Sequence, residues 1–196
     1  MPLGFPSITP SASSWEIISN ARQFVSPLTG AIQTAQRGGT RWRATLTFDN
    51  LTGADRAVMQ AFVSQLQATA NNFYLTDHSY TRRADGAGTA RVNGASQTGN
   101  QLVTDGWTSG TYAFLRGDFF TVNGELKMAV ADATISAGAA TVQFVPELRE
   151  APADNATLTL SSPTGIFRLS NPVSGWSNQP GIFSTFSLEA IEDVIA

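Results

Sequence analysis

The chain has 196 residues, enough to bury a real core in one or two domains, with 42% hydrophobic residues and only 14% charged ones, against about 25% charged in an average soluble protein. With no cysteine and a single histidine, His78, it has no disulfide, thiolate metal site or cysteine nucleophile, and no histidine metal cluster within one copy. Its net charge of −3 argues against non-specific nucleic-acid binding, and no apolar run approaches the ~18 residues of a membrane span.

The sparse charge suits a subunit whose faces are covered by neighbours, because buried charges are costly to desolvate. The charges also divide along the chain. Residues 1–84 carry seven Arg and four carboxylates (+3), residues 85–160 four basic and eight acidic groups (−4), and residues 161–196 one Arg and three carboxylates (−2). The sign change near residue 85 coincides with a change of composition, which predicts a domain boundary there.

The stretch through Pro10 holds three prolines and reads as an extended arm, with neither the basic nor the apolar region of a secretory signal. A short strand is expected at Trp15–Ile18, then turn chemistry at Ser26-Pro27-Leu28-Thr29-Gly30. Residues 32–36 and 41–48 flank Arg37-Gly38-Gly39-Thr40 and predict a hairpin. Along the second of these, Trp42, Ala44, Leu46 and Phe48 alternate with Arg41, Arg43, Thr45 and Thr47, a period of two. A helix is predicted over Thr52–Ala70, with Thr52 as N-cap, Asp55 three residues on, and Ala54, Val58, Ala61, Phe62 and Leu66 as its core face. Its polar face carries Gln and Ser rather than Lys, so it should pack on a sheet rather than lie on a membrane. A strand follows at Phe73–Leu75.

Residues 85–100 are nearly all Gly, Ala, Asn, Thr and Ser, too poor in apolar groups for an ordinary strand before Leu102-Val103. Strands are then expected at residues 119–122, 126–131, 141–145 and 157–160, with Asn123-Gly124 a strong hairpin signal. These predict a small closed β-barrel or sandwich. Strand signals return at Ile166–Leu169, near Trp176 and over residues 181–191. An isolated C-terminal strand is not stable, so it should pair with the N-terminal hairpin. The predicted fold is therefore mainly β with one amphipathic helix: a β-sandwich or split-barrel domain from 1–84 plus 161–196, with a small β-barrel inserted at 85–160.

No residue pattern supplies convincing catalysis. Asp77-His78-Ser79 has the residue types of a hydrolase triad, but adjacent residues on an extended chain point to opposite sides. Asp118, Glu125 and Asp132 sit at predicted strand ends, where solvated carboxylates are expected rather than a glycosidase pair. The Gly-rich run from Gly86 to Gly99 lacks the following helix of a phosphate cradle. Neither enzyme chemistry nor a cofactor is expected. Arg37, Arg41 and Arg43 are candidate subunit-interface residues, to be met by acidic groups of a neighbouring copy. Trp107 and Tyr112 are the stacking platforms of an alternative reading, a carbohydrate-binding β-module.

Trp15, the Ser26–Gly30 turn with Gln33-Thr34, Arg41-Trp42, Phe167-Arg168-Leu169, Gly175-Trp176, Pro180-Gly181-Ile182-Phe183 and the acidic-apolar end stand at the two ends of the chain. Together these stretches resemble the distal tail proteins of long-tailed bacteriophages. Gly117-Asp118-Phe119-Phe120, Glu125-Leu126-Lys127 and the Pro152–Asn155 loop are similar to the insertion in such proteins. The resemblance implies a tube-forming β domain with one flanking helix and an inserted barrel. It also implies a homohexameric ring in the virion, joining the tail tube protein to hub and tip proteins, with nucleic acid only passing through its lumen. Another ring of the tail tube or tip would share these features.

Overall fold

The period of two along residues 41–48 becomes the spine of a sheet. A computed structural model describes residues 1–35, 38–180 and 182–193; in it Trp42, Ala44, Leu46 and Phe48 are buried while Arg41, Arg43, Thr45 and Thr47 are half-buried on the opposite face. In chain order the first elements are β1 (Ala12–Ile18), β2 (Arg22–Val25), β3 (Ile32–Ala35), β4 (Arg41–Leu51), helix α1 (Gly53–Leu66) and β5 (Asn72–Leu75). The middle carries β6 (Ala87–Val92), β7 (Gly99–Ser109), β8 (Tyr112–Phe114), β9 (Phe119–Val122), β10 (Glu125–Ala129), β11 (Ala133–Thr134) and β12 (Ala140–Leu148). The chain returns through β13 (Gly165–Leu169), β14 (Trp176–Asn178) and β15 (Ser184–Glu192). With 48% strand and 7% helix, the protein belongs to the mainly β, sandwich or barrel class.

The first sheet has the order β1-β4-β15-β13-β5, with β14 also on β15. The last strand thus lies beside β4, Leu188 opposite Leu46 and Ala190 opposite Ala44, so that buried faces coincide. Residue Leu3 of the N-terminal arm adds to the β5 edge through bonds to Asn72 and Tyr74.

The expected hairpin between residues 32–36 and 41–48 does not form. Instead β4 pairs with β1 (Trp15 opposite Ala44) and β3 with β2 (Val25 opposite Ile32), so these four strands make one long interrupted ribbon. Its turn is Ser26–Ala31, where Gly30 adopts φ +67° and donates its N–H to Ser26 O at 2.9 Å. The Gly38-Gly39 segment is instead a break on one side of the ribbon, tied across by Asn20 Nδ2–H to Gly38 O. Gln36, Arg37 and Gly181 lie outside the described residues.

Helix α1 is shorter than predicted because Gln67 and Ala68 take left-handed φ values of +47° and +56°. Asn71 then caps the exposed carbonyls, its backbone N–H bonding Leu66 O and its side chain Gln65 O. The buried stripe is Met59, Phe62, Val63 and Leu66; Ala54, Val58 and Ala61 face outward.

The middle sheet runs β6-β7-β12-β10-β9, and residues 156–160 close it. Thr159 exchanges both backbone bonds with Thr121 on β9, while on the β6 side Leu158 N–H meets Ala90 O and Val92 N–H meets Ala156 O. Pairing therefore runs completely round a barrel. Asn123 (φ +51°) and Gly124 (φ +76°) form the expected tight turn between β9 and β10. The Gly-rich stretch holds one whole strand, β6, and the start of β7, which continues through Leu102-Val103. β6 and β7 cross so closely that a Cβ on Gly88 would stand 2.2 Å from Gly106 O, and one on Gly106 2.1 Å from Thr89 O. Glycine there serves close backbone approach at a bulge, which hydrophobic periodicity does not register.

Two cores result. One lies under the first sheet, covered at one end by α1 and Phe5 and at the other by Phe119 and Leu126 of the barrel. The second fills the barrel around Phe114, Phe120, Phe144 and Trp107.

Candidate subunit interface

Arg41 and Arg43 share the outer face of the first sheet, but Arg43 is already met within the chain. Glu16 on β1 lies directly opposite it, at 3.9 Å between charged atoms, and Glu189 on β15 approaches to 3.4 Å. Both strands flank β4, so the sheet itself brings acids to this arginine; part-exposed pairs of this kind are worth at most about 1 kcal/mol. For Arg43, acids of its own chain therefore already supply a contact of the kind expected from a neighbouring copy. Arg41 forms no ion pair among the described residues. Arg37 lies outside them.

Trp107 and Tyr112 do not form a joint stacking surface. Trp107 is 5% exposed, edge-on to Phe114 in the barrel core, with its indole N–H donated to Thr104 Oγ1 at 3.0 Å. Only Tyr112 is appreciably exposed. The burial follows from β7 alternation, which puts Leu102, Thr104 and Trp107 inward once the Gly106 bulge shifts the phase.

The carboxylates expected at solvated strand ends are largely inside. Asp118 is fully buried and accepts the backbone N–H groups of Arg83, Ala84 and Leu115, fixing the entry of the chain into the barrel. Nearby, burial followed by the Asp118 charge pushes the Tyr80 hydroxyl up to about 12. Asp132 alone behaves as a surface group, clamped by Arg116 through two side-chain bonds at 2.8 and 3.1 Å. Asp77 accepts from Ser79 N–H and Oγ–H in a local turn, while His78 packs against Phe5, its proton affinity lowered by burial. The three make no proton-transfer chain.

Sequence reasoning missed a buried ionic knot where barrel and sheet meet. Lys127 has no exposed surface; its Nζ donates to Glu125 Oε2 at 2.5 Å and Glu147 O at 2.7 Å. Burial lowers its proton affinity, and Glu125 opposes that shift. Arg149 reaches from the barrel to Glu192 on β15 at 2.7 Å, and Glu192 Oε2 also accepts Trp42 N–H at 3.1 Å. Trp42 in turn donates its indole N–H to Leu126 O at 3.0 Å. Beside the knot is a cavity of about 240 Å³ lined by the Asn123-Gly124 turn, Glu125, Arg149 and Asp193. Among the described residues no three His, Asp or Glu side chains are placed to hold a metal ion, and no helix is long and apolar enough to cross a membrane.

A scan against protein-family models finds no match, and a search of the curated proteins finds none.

Two surface features distinguish the first sheet. Among the described residues β1 pairs with β4 on one side only, leaving a seven-residue open edge whose sole charge is Glu16. The β2–β3 ribbon is exposed along all eight of its strand residues, Phe24, Val25 and Ile32 included.

Proposed function

We propose that this chain is a structural subunit that closes with copies of itself into a ring, as the distal ring of a phage tail does between tail tube and hub. The open β1 edge carries the oligomeric part of this reading. A long strand without Pro, Lys or a covering element is a template for further pairing, and soluble proteins normally blunt such edges. The remaining edges of the sheet, β14 and the Leu3-covered β5, differ from β1. Contact between β1 of one copy and a different edge of the next is heterologous, and such contacts close into rings when the rotation allows, whereas β1 against β1 gives a two-fold dimer.

The resemblance of the two framing stretches supplies the place in a phage tail; a ring elsewhere in the tube or tip uses the same surfaces. Size-exclusion chromatography with light scattering, followed by negative-stain microscopy, tests the reading. A ring of uniform copy number is expected, and a monomer at all concentrations sinks it. Arg41→Glu with Arg43→Glu is not a clean probe, because Glu at 43 would stand beside Glu16 and Glu189.

A further inference from the structure

An apolar ribbon and an apolar patch stand at opposite ends of one strand. β4 begins at Arg41, opposite Ile18, and ends at Leu51, opposite Ser184. Its 11 residues, at about 3.3 Å each, set the two ends roughly 35 Å apart. Beyond the Arg41 end runs the β2–β3 ribbon, with Phe24, Val25 and Ile32 exposed and Leu28 at its turn 95% exposed. Beyond the Leu51 end lie Ile182 and Phe183, and beside it, two strands across and level with Phe48, Trp176; all three are exposed, Ile182 by 63%. This patch is held in place: Trp176 rests on Phe186, and Arg56 Nη1–H donates to Ile182 O at 3.3 Å.

A two-stranded ribbon is marginally stable in water without packing, so its apolar side chains call for a partner. Charge divides along the same axis. At the ribbon end, Arg22 and Arg41 form no ion pair among the described residues, while Glu16 is engaged by Arg43. At the far end, Asp49 and Asp55 are exposed and likewise form none, and the guanidinium of Arg56 is turned to the Ile182 carbonyl. Both ends are thus apolar; arginines outnumber the free carboxylates at the ribbon end, where Glu147 beside Gly38 also forms no ion pair among the described residues, and free carboxylates predominate at the other.

We propose that the ribbon of one copy seats its Phe24–Ile32 tip on the Trp176, Ile182 and Phe183 patch of a second copy. The contact rests on the oligomeric reading above and adds to it an interface separate from the β1 edge. It is head-to-tail and repeats along the direction of β4, with Arg22 and Arg41 facing Asp49 and Asp55 of the next copy.

The chain has no cysteine, which makes site-directed cross-linking clean. The test compares L28C, F183C and the double variant, each treated with a short bis-maleimide; circular dichroism verifies folding. The double variant should give a ladder of multimers and each single variant only the monomer band. Cross-linking of L28C with itself would mean ribbon-to-ribbon contact and overturn the proposal. Absence of a ladder while the unmodified chain scatters as an oligomer also overturns it and leaves the oligomeric reading standing. A chain monomeric at every concentration removes both.

Discussion

Lys127 shows how an individual side chain joins chemistry to architecture. Its ammonium is out of water and held by Glu125 and the Glu147 carbonyl, so removing it strands a buried carboxylate. Breaking such a pair from one side costs about 3–5 kcal/mol, whereas replacing both partners by apolar groups is often neutral. Lys127→Met is therefore predicted to lose several kcal/mol in urea unfolding, and Lys127→Met with Glu125→Leu to regain most of it. Equal losses in both would mean that Lys127 matters for packing alone. Asp132 gives a prediction in acid. The Arg116 side chain and then its backbone N–H hold the carboxyl at about 2, below its ordinary 3.8. A depressed carboxylate stabilises the fold fully above 3.8 and loses that contribution as pH falls toward about 2. The melting-temperature gap between the natural chain and Asp132→Asn should thus close across that window; a gap unchanged down to pH 2 would contradict the clamp. Neither role was legible beforehand. Strand alternation predicts one buried face for β10, yet residues on both faces are inside, one toward the barrel and one toward the seam.

The elements differ in how openly their sequences announce them. β4 and the Asn123-Gly124 turn were readable because each follows a local rule, alternation in one and two positive φ angles in the other. β6 and the parts of β7 outside Leu102-Val103 escaped because their defining feature is a close crossing at Gly88 and Gly106. Gly106→Ala should lower stability by more than the ~1–3 kcal/mol of left-handed strain, since the new Cβ would meet Thr89 O at 2.1 Å. Gly94→Ala makes the matched control: it has φ +94° but nothing within 4 Å. Similar melting temperatures for the two variants would show that the crossing is looser than the structure has it. The β2–β3 ribbon was misread through its turn. Gly38-Gly39 and Ser26–Gly30 both look like hairpin turns, and only pairing with β1 decides between them.

In the assembled molecule the seam between sheet and barrel is part of a core rather than a surface contact. Phe119 and Leu126 belong to the core that also holds Trp42 and Phe167, and Arg149 crosses to Glu192. The two parts are thus predicted to unfold together, far-UV dichroism and tryptophan fluorescence tracing one transition; two separated transitions would mean that the seam does not couple them. Fluorescence reports both sides, because Trp15 and Trp42 sit near the seam and Trp107 inside the barrel. The chain order of residues was enough to show a mainly β protein with one helix and the need of the C-terminal strand for a partner, because period and turn chemistry are local. The pairing of β4 with β1, the inward turn of Trp107, the acids that meet Arg43 and the ionic knot at Lys127 came only from the folded chain. Each depends on which distant strand lies alongside, and that choice is made by the burial of whole faces, a property no local window contains.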